Sequence, residues 1–283
     1  MPAFGNDWHC GPLIPNRKLP FVRVFDIRKF KTVSPLENEF IDHLLKSFHN
    51  GENKQSQLIP EISNRNILEG MSGAKTRHFY NNLAKLPSCN YLEIGTWAGS
   101  TLCSNLFKNN VNATAIDSFE WGGRDIKQKF LNNVSKCISL STDSSFNIPS
   151  DIFSNLDAKQ YNINLPNDKH LQVIDSDSFK VNIDELKFTY NLYLYDGDHS
   201  YDAHYNALTY YYTKLADIFI FVVDDWNIPR VRDATNRAIK DLNLTILAEC
   251  EVIYTHDDTH TSHDGDFASN NYWNGVYAAV LKK

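Results

Sequence analysis

At 283 residues, with 42% hydrophobic and 13% aromatic residues, the chain can bury one large core, which excludes an intrinsically disordered protein. Lys and Arg number 28 against 34 Asp and Glu, and a net charge of -6 excludes nucleic acid as the expected partner. Five scattered cysteines (Cys10, Cys89, Cys103, Cys137 and Cys250) without a C-x-x-C pair point to reduced thiols and a cytoplasmic protein. No apolar run reaches the roughly 20 residues that span a bilayer, and no signal-peptide core is seen, so no membrane partner is expected.

Residues 1–65, rich in Pro, Asn and charge, read as an N-terminal extension or cap on a main domain of residues 66–283. The extension holds one helix, in PLENEFIDHLLKSFH, where Phe40, Leu44, Leu45 and Phe48 share a face. From GMSGAKTRHFYNNLAKL onward the rhythm is helix, strand (NYLEI), helix (STLCSNLFKN) and strand (ATAI), which predicts a parallel sheet. HLQVI, NLYLY and DIFIFVV add strands apolar on both faces. LTILAECEVIY and GVYAAVL, joined by a polar loop, predict an antiparallel C-terminal pair. The expected fold is α/β, with a mostly parallel sheet of about seven strands. The Ser/Asn/Asp-rich segment 139–170 is too long for an ordinary connection and reads as either a lid or a disordered excursion. Tyr210, Tyr211 and Tyr212 read as packing a helix against the sheet.

The first chemical signal is YLEIGTWAGST, residues 91–101. A strand ends at Glu93-Ile94, Gly95 and Gly99 permit a tight turn around Trp97, and a helix opens near Ser100-Thr101 with free N–H groups for a ligand. One strand later Asp117 stands 24 residues past Glu93, where a carboxylate can hold a ribose diol. A plain connecting turn would also carry glycines, but the turn and Asp117 together indicate a nucleoside-type ligand. The spacing is not the dinucleotide G-x-G-x-x-G, which argues against a nicotinamide oxidoreductase.

The second signal is NLYLYDGDHSYD, residues 191–202, followed by Asp224-Asp225 at the end of the next strand. Asp196, Asp224 and Asp225 should converge at the carboxyl edge of the sheet, where unpaired carboxylates repel one another. A hard divalent cation such as Mg²⁺ removes that conflict through oxygen ligands. The competing reading is that each acid caps the segment after it.

The run Glu93 to Gly99 resembles motif I of the class I S-adenosylmethionine-dependent methyltransferases, which implies a Rossmann-like methyltransferase fold. By that resemblance Glu93 lies near the methionyl amino group of S-adenosyl-L-methionine, the Gly95 to Gly99 turn with Thr101 runs along it, and Asp117 holds its ribose. DGDHSY, the later DD and EGMSGAKTRHFYNNL resemble the metal-dependent O-methyltransferases, in the sugar branch of macrocin- and cephalosporin-type tailoring enzymes and more distantly the catechol type. This implies that Met71 and Ser72 touch the cofactor, that Asp177 and Ser178 border its adenine, and that Asp196 meets both cofactor and metal. It also implies a metal held by Asp196, Asp224 and Asp225, with either His199 or Asp198 as the base that deprotonates the acceptor. A neutral imidazole suits that role near pH 7.

The expected activity is therefore metal-dependent O-methylation of a sugar or glycoside hydroxyl. A phenolic or catechol acceptor is the alternative, and a non-catalytic cofactor-binding module whose extension and insertion bind a partner is the reading from another class. The partners expected are a small-molecule acceptor and, as an option, a second copy in a homo-oligomer. Trp226 and Asn227 are expected to wall the acceptor pocket or extend the metal shell. His256, His260 and His263 invite a second metal but read as a solvated loop.

Overall fold

The computed structural model describes residues 20–141, 155–256 and 266–283. Strand β1 (Phe21–Asp26) and helix α1 (Pro35–Glu52) come first, then the short α2 (Pro60–Ser63) and α3 (Ala74–Leu83). The central run is β2 (Asn90–Ile94), α4 (Ser100–Leu106), β3 (Asn112–Asp117), α5 (Gly123–Ser141), β4 (Gln160–Leu165) and β5 (Lys169–Asp175). It continues through β6 (Tyr190–Tyr195), α6 (Tyr201–Tyr211), β7 (Leu215–Asp224) and α7 (Pro229–Asp241), and closes with β8 (Thr245–Ile253), α8 (Asp266–Asn270) and β9 (Val276–Lys282).

The nine strands of the described residues join one sheet in the order β1-β8-β9-β7-β6-β2-β3-β5-β4. β2 pairs in parallel with both β3 and β6, and the chain runs outward from β2 through β3 and β5 before returning to add β6 and β7 on its other side. The order therefore reverses between β2 and β6, the switch point at which doubly wound, Rossmann-like sheets open a ligand crevice beyond their strand ends. β9 pairs antiparallel with β7 and β8, as the C-terminal pattern predicts.

The sheet is larger and more mixed than about seven mostly parallel strands. The two additions are edge strands. β1 lies antiparallel to β8, inside the segment read as an extension, and β4 lies antiparallel to β5, inside the segment read as a lid or excursion. Each alternates or exposes its side chains, because an edge strand is covered on fewer sides than a central one. The lid reading of residues 142–154 falls outside the described residues.

One face of the sheet is covered by α1, α3, α4 and α5, and the other by α6 and α7. Ser34 and Glu37 form a reciprocal capping box at the start of α1, and its Phe40, Ile41, Leu44 and Phe48 are buried in the core, with Leu45 packed at the margin. Tyr211 is buried beside Tyr193, with ring centroids 5.8 Å apart. Cys89, Cys103, Cys137 and Cys250 are buried free thiols. Among the described residues no helix is long and apolar enough to cross a membrane.

Candidate active site

At the end of β2, Glu93 is fully buried and accepts hydrogen bonds from the Tyr91 hydroxyl and, at 2.6 Å, from Thr101 Oγ1 on α4. Burial pushes its carboxyl up to about 7, despite the opposing pull of both hydroxyl donors. Gly95 follows with φ +81°, and a Cβ there would stand 2.0 Å from the backbone oxygen of Asp196. Only glycine lets β2 and β6 approach this closely at the switch point. Trp97 takes the left-handed conformation at φ 43°, and Gly99 caps α4 at φ +79°.

Asp117 closes this turn. Its Oδ2 accepts from the backbone N–H groups of Thr96 and Trp97, both at 2.8 Å, and its Oδ1 accepts from Phe119 N at 2.6 Å. Its carboxyl is raised by burial, with the three amides pulling the other way. The residue expected at a ribose thus first serves the backbone of the Gly95 to Gly99 turn. Trp97 packs against Trp121 with ring centroids 5.4 Å apart.

Ser72 and Met71 part company. Ser72 is buried, with Oγ 2.9 Å from Ser100 Oγ and accepting from Arg77 Nε at 2.9 Å, so it staples the preceding loop to the start of α4. Met71 is 40% exposed. Beyond β3 and β5, Ser118, Ser176 and Asp177 line an open groove. Asp177 accepts from Phe179 N at 3.0 Å and pairs with Lys180 at 2.9 Å, which holds its carboxyl below the usual range. The carbonyl of Ser178 accepts the Tyr211 hydroxyl.

Across the Gly95 contact lies a second group of acids. Asp196, His199 and Asp225 bring one ligand atom each to within 4.8 Å of one another. His199 Nε2 stands 2.7 Å from Asp225 Oδ2. Asp224, expected in the same set, is buried, and its Oδ1 accepts from Asp225 N at 2.9 Å. Asp225 itself adopts φ 54°, a left-handed turn that points consecutive carboxylates in different directions. Burial, and then the neighbouring carboxylates, push Asp196 and Asp224 well above the ordinary range.

The two candidate bases differ in setting. Burial pulls the His199 imidazole down, but the carboxylates of Asp225, Asp224 and Asp198 together outweigh it and the net shift is upward. Asp198 is exposed, and its Oδ1 accepts from Ser200 N at 2.9 Å, beside the cap of α6. Burial raises it, yet the Ser200 hydrogen bonds and His199 leave it below its usual value.

Trp226 and Asn227 do not wall an open pocket. Trp226 is buried, stacked on Tyr277 at 4.3 Å, and donates to Glu251 Oε2 at 2.7 Å, while Asn227 is fully buried. Of the loop histidines, His260 and His263 lie outside the described residues. Three residues of the site escaped sequence reasoning. Asn274 donates to Asp225 Oδ1 at 2.7 Å. Arg230 Nε donates to the His199 carbonyl at 2.9 Å. His204 is buried with its ring 6.2 Å from that of His199, and burial drops its pKa to about 3. The asparagine-glycine pair at 274–275 was a visible turn signal, but nothing local ties it to Asp225.

The donor chemistry fits a hard cation: carboxylates from two strand ends converge with an imidazole, and their mutual repulsion needs positive charge. No family model and no curated protein matches the sequence. Among solved structures, the chain is similar to an O-methyltransferase from Bacillus cereus in complex with SAH, at 12% identity and TM-score 0.45 over 90% of this chain and 95% of that one. It is similar to a TDP-rhamnose 3'-O-methyltransferase of calicheamicin biosynthesis at 15% identity and TM-score 0.40, over 77% and 90% of the two chains. A third, the O-methyltransferase of tomaymycin synthesis from Streptomyces achromogenes in complex with SAM, aligns at 12% identity and TM-score 0.41 over 91% and 94%. At these identities and TM-scores the likeness does not identify a family.

Proposed function

We propose that the chain is an S-adenosylmethionine-dependent O-methyltransferase acting on a sugar or glycoside hydroxyl. The observation that carries this reading is the meeting of the motif I turn and the Asp196, His199 and Asp225 group across the Gly95 contact. Bound S-adenosylmethionine supplies an electrophilic methyl group. Asp117 would accept the ribose hydroxyls while holding the turn amides, and Glu93 would face the methionyl amino group. Asp196 and Asp225 would hold a divalent cation, Mg²⁺ by its preference for oxygen, with Asp224 adding negative charge behind them. That cation would make the acceptor hydroxyl more acidic.

The base in this reading is His199. Nε2 is engaged by Asp225 Oδ2, which orients the ring and assigns proton acceptance to Nδ1. His199 would take the proton from the acceptor hydroxyl as its oxygen bonds the methyl carbon and the carbon–sulfur bond breaks, with S-adenosylhomocysteine as the leaving product. In this reading the crevice would have to hold the reacting atoms in line and exclude water.

The test is calorimetry with S-adenosylmethionine, followed by methyl transfer to a panel of sugars and phenols with and without EDTA. Binding of the sulfonium nucleoside, turnover on a sugar, and loss and Mg²⁺ rescue of that turnover are expected. Tight NADH binding with none for S-adenosylmethionine would remove the cofactor assignment. Full turnover after verified chelation would remove the cation.

A further inference from the structure

Asn274 sits in the turn before β9, 49 residues from Asp225, and is fully buried together with Asn227. The orientations of these two amides follow from a chain of hydrogen bonds that begins at the backbone. A backbone N–H can only donate. Tyr254 N at 2.8 Å and Thr255 N at 3.3 Å both donate to one side-chain atom of Asn227, so that atom is its oxygen, Oδ1. Asn227 Nδ2 must then face the other way, and it donates to Asn274 Oδ1 at 2.7 Å. Asn274 is left presenting Nδ2, which donates to Asp225 Oδ1 at 2.7 Å. A backbone bond from Asn227 N to Asn274 O at 3.1 Å fixes the two segments to each other.

We infer that Asn274 is the positioning residue that selects which oxygen of Asp225 the site uses. It occupies Oδ1 with a donor and turns Oδ2 toward His199, 2.7 Å away. The polarity cannot reverse without turning the Asn227 amide nitrogen against the Tyr254 and Thr255 N–H groups, because each link of the chain dictates the next. The strand ends of β7 and β8 thereby set the aim of the carboxylate through two amides. This inference rests on the cation reading of the site proposed above.

The experiment is a titration of the full chain with Mn²⁺ alone, followed by electron paramagnetic resonance, for wild type, Asn274→Ala and Asn227→Ala. Melting temperature and S-adenosylmethionine affinity are measured alongside. Removing a hydrogen-bond partner of a metal ligand costs about 10–100-fold in metal affinity, which is expected for Asn274→Ala with cofactor affinity unchanged. Asn227→Ala, one link further back, should lose less. Should Asn274→Ala fail to fold, Asn274→Ser leaves a smaller cavity and is read for the same loss. Folded Asn274 variants that bind Mn²⁺ as tightly as wild type would overturn the positioning role while the cation reading stands. Wild-type protein that binds no Mn²⁺ would overturn both.

Discussion

Glu93 and Asp117, at the ends of β2 and β3, are met by donors from their own chain: two hydroxyls for the first and three backbone amides for the second. Asp196 and Asp224, at the ends of β6 and β7, are met by other acids, and both are driven far up in pKa by burial and that repulsion. The first pair is structurally complete and shapes a turn. The second carries an electrostatic conflict that folding alone does not remove, and tolerating such a conflict costs stability unless a positive ligand offsets it. Under the proposed function, the contrast separates a scaffold half of the crevice from a chemical half.

The largest effect should come from the chemical half. His199→Ala is expected to lower the turnover number by about 10²–10⁴, the usual span for a general base, with S-adenosylmethionine affinity nearly intact. Asp198→Asn should change turnover little, since Asp198 is exposed and serves Ser200 N. If the asparagine variant loses activity and the alanine variant keeps it, the two roles are exchanged.

A second effect tests the scaffold half through pH. The Glu93 carboxyl is raised from 4.5 to about 7. Between these values the native state holds a proton that the unfolded chain has released, so stability falls as pH rises. The contribution is fully present below pH 4.5 and lost above about 7, and a shift of this size corresponds to about 3 kcal/mol. Urea unfolding at pH 5 and pH 8 should show wild type losing most of that amount relative to Glu93→Gln. Equal pH dependence in the two proteins would show that Glu93 does not carry the proton.

Asp117→Asn should come next, at about 1–3 kcal/mol, because an amide nitrogen would face backbone donors it cannot accept from. Thermal melts without ligand detect it, and a normal melt would mean the turn does not depend on this clamp. Arg23→Ala is the smallest. Arg23 bonds Glu249 at 3.0 Å and Glu251 at 2.5 Å, but its side chain is 52% exposed, and a pair of this kind contributes less than about 1 kcal/mol. A melting shift of many degrees would show that β1 supports the Trp226 side of the crevice more strongly than its exposure indicates.

The central strands were legible because helices cover both their faces, so β2, β3, β5, β6 and β7 read as short apolar runs. The edge strands were not, since QYNINL and FVRVFD alternate or expose their residues and resemble loop sequence. Helix α5 was legible in principle, with Phe130, Leu131, Val134, Cys137 and Ile138 at helical spacing. In the site, acids at strand ends announced themselves. The division of labour between Asp224 and Asp225 did not, because it depends on one left-handed backbone angle. Asn274 was hidden for another reason: its contact with Asp225 spans 49 residues of chain.

β1 protects the outer edge of β8 along the register from Phe21 opposite Ile253 to Asp26 opposite Ala248. Helix α1 lays Phe40, Ile41 and Leu44 over the same face of the core as β8. A chain trimmed to start at residue 66 would keep every recognisable motif yet uncover a long apolar strand edge and the surface beneath α1. Such an edge recruits other copies by strand addition. Motif content alone is therefore a poor guide to where the chain can be cut, and expression boundaries belong before Phe21.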